Sequence, residues 1–180
     1  MDPSFQEIVD HHEIRKLLAE YCHACDRADA SLMASLYTGD NSFDDHGLVR
    51  APGPEYASKM VELIHQRTEV VSHILGQSLI KVDGDTAAAE TFFLGLMRVH
   101  GADGSPRLNQ LAGRFVDRFE RIDGKWRIKY RTAVRDTSIT FRVEEDMQAS
   151  YGMRSGTRDG EDPGASLLGL AHHFKPPGRR

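Results

Sequence analysis

The stretch VVSHILGQSLIKVDGDTAAAETFFLGLMRV, residues 70–99, decides the fold. It contains two strand-length runs, Val70–Val82 and Thr86–Val99, broken only by DGD around Gly84. Both are rich in β-branched and aromatic residues, and a break of Gly and Asp joins antiparallel neighbours. Two more runs of this kind follow, Leu108–Arg121 and Lys125–Ser138, with GADGSPR and DG as their breaks. The spacing predicts a meander of four long strands.

Upstream of Glu69 the period changes. Ile14, Leu17, Leu18, Tyr21, Cys22 and Cys25 recur at helical offsets and mark one apolar face of a helix from about Ser4 to Arg27. Asp29 can cap a short second helix that buries Leu32, Met33, Leu36 and Tyr37. GPEYASKMVELIHQRTE reads as a third, with Pro54 in its first turn and Met60, Leu63 and Ile64 inward. NSFDDHG between them is a short strand or turn. Helices first and a long-stranded sheet afterwards give an α+β fold. The expected form is a cone-shaped, curved, mostly antiparallel sheet packed against three N-terminal helices, with a pocket between the layers. Residues 1–143 make one barrel-like domain. The tail, 144–180, is rich in Gly and charge and either hangs loosely or wraps the domain or an oligomer partner.

The charge balance narrows the partners. Lys and Arg number 23 against 27 Asp and Glu, a net −4, with no basic stripe to neutralise phosphates, so nucleic acid is not expected. The start, MDPSFQEIVDHHEIRK, is polar and acidic where a signal peptide needs a basic and then an apolar segment. No apolar run is long enough to span a membrane. The expected location is the cytoplasm, where cysteines stay reduced.

Cys22 and Cys25 lie in the last turns of the first helix, and no second pair exists to complete a zinc tetrahedron. A redox C-x-x-C belongs at a helix start beside a parallel strand. They read as small buried hydrophobes, and no metal or cofactor is expected. His11 and His12, like His172 and His173, stand in polar context and read as surface pairs. Asp26 is the odd residue: a carboxylate beside the apolar face, at the negative end of the helix dipole, needs compensation. His73, inward by parity with Leu75, Gln77 and Leu79, is a candidate to supply it. Such a carboxylate fixes an imidazole tautomer and stabilises the imidazolium, which makes a general base. Plain alternation would put Arg131 with Arg127 and Lys129 on the solvent side. His46 either enters the pocket or caps a turn.

The order EIRKLLAEYCHACDRAD, FDDHG, SHILGQ and AGRFVDRFERIDGKWRIKYRTAVRD, over roughly residues 5–140, resembles the SnoaL-like branch of the nuclear-transport-factor-2-like superfamily. That branch includes scytalone dehydratase, bile acid 7α-dehydratase, a hexachlorocyclohexane dehydrochlorinase, polyketide cyclases and ketosteroid isomerase. Its dehydratase and dehydrochlorinase pattern is a Tyr or Lys, four residues, then Asp on the first helix, a His on the first long strand and an Arg on the last. Tyr21, Asp26, His73 and Arg131 match it, so the resemblance implies a catalytic role for all four and turns Arg131 inward. The second pocket histidine of scytalone dehydratase has no counterpart on AETFFLGLMRV.

The implied activity is a cofactor-independent lyase. His73 takes a proton, and water, halide or a fragment such as formaldehyde leaves, helped by Tyr21 or Arg131. His46, Phe93, Leu75 and Met97 are candidate substrate contacts, with Phe92, Leu94 and Leu96 on one face or the other. This apolar lining suits an aromatic, polycyclic or steroid-like molecule. A cofactor-free isomerase or cyclase, and a non-catalytic binding or accessory subunit, are the other readings. The resemblance also implies a homodimer or homotrimer.

Overall fold

Helix α1 (Pro3–Asp26) starts where the Asp2 carboxylate accepts the Ser4 N–H at 2.8 Å, and Pro3 suits its first turn. It stops at Asp26 because Ala28 adopts a left-handed φ of 54°, letting the Asp29 N–H reach back to the Ala24 carbonyl at 2.8 Å. Asp29 then caps α2 (Ala30–Ser35) by accepting the Leu32 N–H. A single 3₁₀ turn, Gly39–Asn41, leads to β1 (Phe43–Asp45), β2 (Arg50–Ala51) and α3 (Gly53–Arg67). The meander follows as β3 (Val70–Asp83), β4 (Thr86–His100), β5 (Pro106–Ile122) and β6 (Lys125–Arg142). This computed structural model describes residues 2–144 and 152–169, and α4 (Pro163–Leu167) lies in the second segment. The expectation for His172 and His173 falls outside the described residues.

Among the described residues, six strands run in the order β2-β1-β6-β5-β4-β3. Every pairing between them is antiparallel except that of β1 with β6. The α+β architecture is as expected, but the barrel-like description of residues 1–143 is corrected: the sheet is open, with β2 and β3 as its edges. β2 is two residues long, too short to carry the pairing round to β3. Among the described residues, no helix is long and apolar enough to cross a membrane.

Three bulges shape the sheet. Leu75 pairs with Phe93 and Ser78 with Thr91, so β3 carries one extra residue there. β6 carries an extra residue at Lys129 and another at Asp136. Each bulge bends its strand and reverses which side chains face inward. Leu79, assigned inward by alternation, is therefore exposed, while Ile80 is buried. On β4 no bulge intervenes, and the odd residues Ala87, Ala89, Thr91 and Phe93 are buried while Phe92 is exposed. Gly113 must stay side-chain-free, since a Cβ there would lie 2.3 Å from the Val134 carbonyl oxygen.

The described part of the tail contacts the domain. Arg158 donates to the carbonyl and hydroxyl oxygens of Thr68 at 3.0 and 2.8 Å, and Arg27 lies 3.5 Å from Asp162. Its docking covers the end of α1 that carries Asp26.

Asp10 ties α1 to the sheet. It accepts two hydrogen bonds from Arg121 at 2.7 and 2.9 Å and one from the Trp126 indole at 3.2 Å. The Arg121 bonds outweigh the cost of burial and hold the Asp10 carboxyl below its ordinary value of 3.8. A depressed carboxyl stabilises the fold above its unfolded value, and that contribution disappears as pH falls through the folded one. Asp10→Ala should lower unfolding free energy by about 1–3 kcal/mol at neutral pH, since the indole and guanidinium lose their acceptor. Denaturant titrations from pH 6 to pH 3 should show the gap between the two proteins closing in acid.

Candidate active site

Between α1, α3 and the inner face of the sheet lies a cavity of about 1110 Å³. Met60, Leu63 and Ile64 of α3 face Phe93 and Met97 of β4 and Leu111 and Phe115 of β5 across it. Exposed Arg67, His100 and Arg135 border the same space and mark its rim. The interior is largely apolar, with His73, His46, Tyr21, Tyr56 and the Cys25 thiol as convergent polar groups and half-buried Thr68 and Asn109 further along the lining.

Asp26 and His73 form the first of these. The imidazole Nδ1 stands 2.6 Å from Asp26 Oδ1, and the His73 backbone N–H donates to Asp26 Oδ2 at 2.9 Å. Both carboxylate oxygens are thus engaged, which compensates the charge at the helix end. A carboxylate only accepts, so Nδ1 carries the proton and Nε2 keeps a free lone pair. The residue directly opposite on β4 is Gly95, which has no side chain to cover that nitrogen.

A second pair borders the same cavity. His46 Nδ1 donates to Asp44, and Asp44 also accepts the Tyr37 hydroxyl. His46 Nε2 is 3.5 Å from the Tyr21 hydroxyl, which is 3.0 Å from that of Tyr56. Burial, and after it the Asp44 charge, pushes the Tyr21 phenol well above its usual range, so it stays protonated. Phe115 is the shared floor: ring centroids lie 5.9 Å away for His46, 6.5 Å for His73, 5.6 Å for Tyr21 and 4.3 Å for Phe93.

Arg131 lies behind this floor. It is fully buried, forks onto Asp117 at 2.7 and 2.8 Å, and sits 4.0 and 4.2 Å from the ring centroids of Tyr21 and Phe115. The Lys129 bulge reverses β6 just before it, which turns Arg131 inward where unbroken alternation would expose it. Its strand neighbours are Asp117 on β5 and Asp44 on β1. Burial works against the guanidinium, but the Asp117 charge and hydrogen bonds overcome this and hold its pKa well above the usual range. The burial penalty falls on Asp117, whose carboxyl is pushed up.

The structure thus brings Tyr21, His73, His46, Phe93 and Met97 to the cavity, with Asp26 bonded to His73 from outside the lining. Two expected residues are placed elsewhere. Arg131 is not among the lining residues, because Tyr21 and Phe115 cover it. Leu75 packs against the core cluster one inward step further along β3, beyond the cavity. Sequence reasoning missed Asp44, Tyr56, Phe115 and Asp117. Asp44 and His46 are two apart, and Phe115, Asp117 and Phe119 share one parity on β5, so an inward Asp among aromatics was the available signal.

Cys25, Asp26 and His73 offer donor atoms within 4.8 Å of one another. Metal ligation fits them poorly: both Asp26 oxygens already serve His73, and burial, ahead of the Asp26 charge, pushes the Cys25 thiol well up. Burial pushes Cys22 up to about 12 as well.

Residues 6–132 match the SnoaL-like domain. The chain belongs to that family. Its fold neighbours include hexachlorocyclohexane dehydrochlorinase LinA-type3 from Novosphingobium barchaimii, at 17% identity and a TM-score of 0.67, covering 84% of this chain and 97% of that one. A type 2 hexachlorocyclohexane dehydrochlorinase is 16% identical with a TM-score of 0.68, covering 98% and 99%. A candidate scytalone dehydratase from Novosphingobium aromaticivorans is 20% identical with a TM-score of 0.67, covering 78% and 93%. At these identities the likeness is one of fold. No curated protein sequence matches the chain.

Within this SnoaL-like fold the buried pair behind the cavity floor is the most exposed to mutation. Arg131→Met leaves Asp117 buried without its partner and should cost about 3–5 kcal/mol by chemical denaturation. Arg131→Met combined with Asp117→Leu should recover most of that loss.

Proposed function

We propose that the protein is a cofactor-independent lyase acting on a hydrophobic aromatic, polycyclic or steroid-like small molecule. The observation that carries this reading is an Asp-oriented imidazole, with its second nitrogen free, on the wall of a large apolar cavity. A base in that setting suits removal of a proton from carbon, because the substrate's apolar body is held while water is excluded. His73 Nε2 takes the proton, Asp26 stabilises the resulting imidazolium, and the electrons left behind expel a group from the neighbouring carbon. Tyr21, held protonated, donates a hydrogen bond to the charge that develops. Arg131 supports Tyr21 and Phe115 from behind and does not touch the substrate.

Assembly belongs to the same reading. Ile74, Phe92, Val116 and Tyr130 are exposed and belong to the outer face of the sheet, and a partner copy would cover them as a homodimer or homotrimer. Light scattering at micromolar concentration should return a multiple of 20.2 kDa; a mass of one chain would reject assembly.

Turnover is tested with a panel of aryl and polycyclic alcohols, halides and hydroxymethyl compounds, scored by product mass. Elimination lowers the mass by the leaving group and a proton; an unchanged mass would indicate isomerisation instead. His73→Ala should reduce turnover roughly 10²–10⁴-fold while substrate binding changes little. Asp26→Asn should be severely impaired too, and the double variant should be little worse than the worse single one, because the two act as a unit. Additive losses would give the residues separate roles.

A further inference from the structure

The cavity holds two histidine–aspartate pairs, and the lyase reading uses one. His46 is built like His73: Nδ1 on a carboxylate, Nε2 toward the cavity, and the ring against Phe115. Both imidazoles thus line one cavity and stand beside the same ring. We propose that His46, oriented by Asp44, is the general acid of the elimination, and that the departing group is therefore an oxygen function that must be protonated as it leaves. This rests on the lyase reading and adds the leaving-group class to it.

Other groups fit the acid role less well. Tyr21 and Tyr56 are phenols held in the protonated state by burial, suited to donating a hydrogen bond rather than giving up a proton. Arg131 is covered by rings, and His100 pairs with Glu69 at the exposed rim. His46 reaches this position through a buried row of charged side chains. Asp44, Arg131 and Asp117 lie side by side across β1, β6 and β5, all buried, two carboxylates against one guanidinium. His46 Nδ1 is joined to Asp44, whose other oxygen accepts the Tyr37 hydroxyl, so the ring is fixed with Nε2 left for the cavity.

In the step itself, His73 Nε2 takes the proton from carbon, the C–H electrons become the new C=C bond, and the C–O bond breaks with its pair going to oxygen. The proton on His46 Nε2 passes to that oxygen, and water or an alcohol leaves. Solvent then removes the proton from His73 and returns one to His46. Without an acid, hydroxide, a strongly basic and therefore poor leaving group, would have to depart. A halide needs no such help.

The test uses two substrates with one product. 4-Hydroxy-4-phenylbutan-2-one and 4-(4-nitrophenoxy)-4-phenylbutan-2-one lose the same α-proton and give the same enone, but only the alcohol requires a proton on its leaving group. In His46→Gln, turnover of the alcohol should fall roughly 10²-fold further than that of the ether. His73→Ala should lose both together. Thermal melting shows that each variant is folded, and His46→Asn replaces any His46→Gln protein that is not. Equal losses on both substrates, or none, would overturn the acid role while leaving the base in place. If His73→Ala keeps both activities, or the unmodified protein converts neither ketone, the elimination reading falls and this inference with it.

Discussion

The buried guanidinium of Arg131 is the constraint on which the site depends. It reaches the interior because a bulge at Lys129 turns it there, and it stays charged because Asp117 stands opposite on the next strand. Tyr21 and Phe115 both pack against it, so one cation touches both the end of α1 and the floor of the cavity. Asp44 completes the row from the short parallel strand β1, which places His46 beside Tyr21. Burying three charges is expensive, and such clusters persist where their fixed geometry is used.

Against that floor the two ends of the chain's first half meet. The left-handed turn at Ala28 ends α1 with Asp26 in its last turn, and β3 begins with His73 three residues in. The carboxylate that is awkward at a helix C-terminus is satisfied by a strand residue offering both a backbone N–H and a ring N–H. Arg158 and Asp162 of the tail close over the same end, joining the C-terminal segment to Thr68 and Arg27. Stability and chemistry draw here on the same contacts, which is why substitutions at Arg131 or Asp117 are expected to disturb both.

Much of this was legible in the sequence, for physical reasons. The hairpin breaks at Gly84 and Gly124 and the helical period from Ile14 to Cys25 fix the α+β order, and an acid beside an apolar helix face asks for a partner such as His73. The bulges were not legible. Period-two alternation counts residues, and one extra residue at Lys129 or after Leu75 reverses every assignment beyond it. Arg131 was placed inward only by family resemblance, against alternation, and alternation itself put Leu79 on the wrong face. β1 is three residues long and pairs in parallel with the last strand, so nothing local announced that FDDHG would deliver a second histidine to the cavity.

The central claim is that Asp26 holds the His73 ring with its proton on Nδ1 and a bare Nε2 facing the cavity. Long-range ¹H–¹⁵N correlation spectra of protein labelled with ¹⁵N-histidine, with His73 assigned by its loss in His73→Gln, test it directly. At a pH where the ring is neutral, the account predicts a protonated Nδ1 and an unprotonated Nε2, with that preference weakened in Asp26→Asn. A His73 ring protonated on Nε2, or one whose tautomer ignores Asp26, would contradict it.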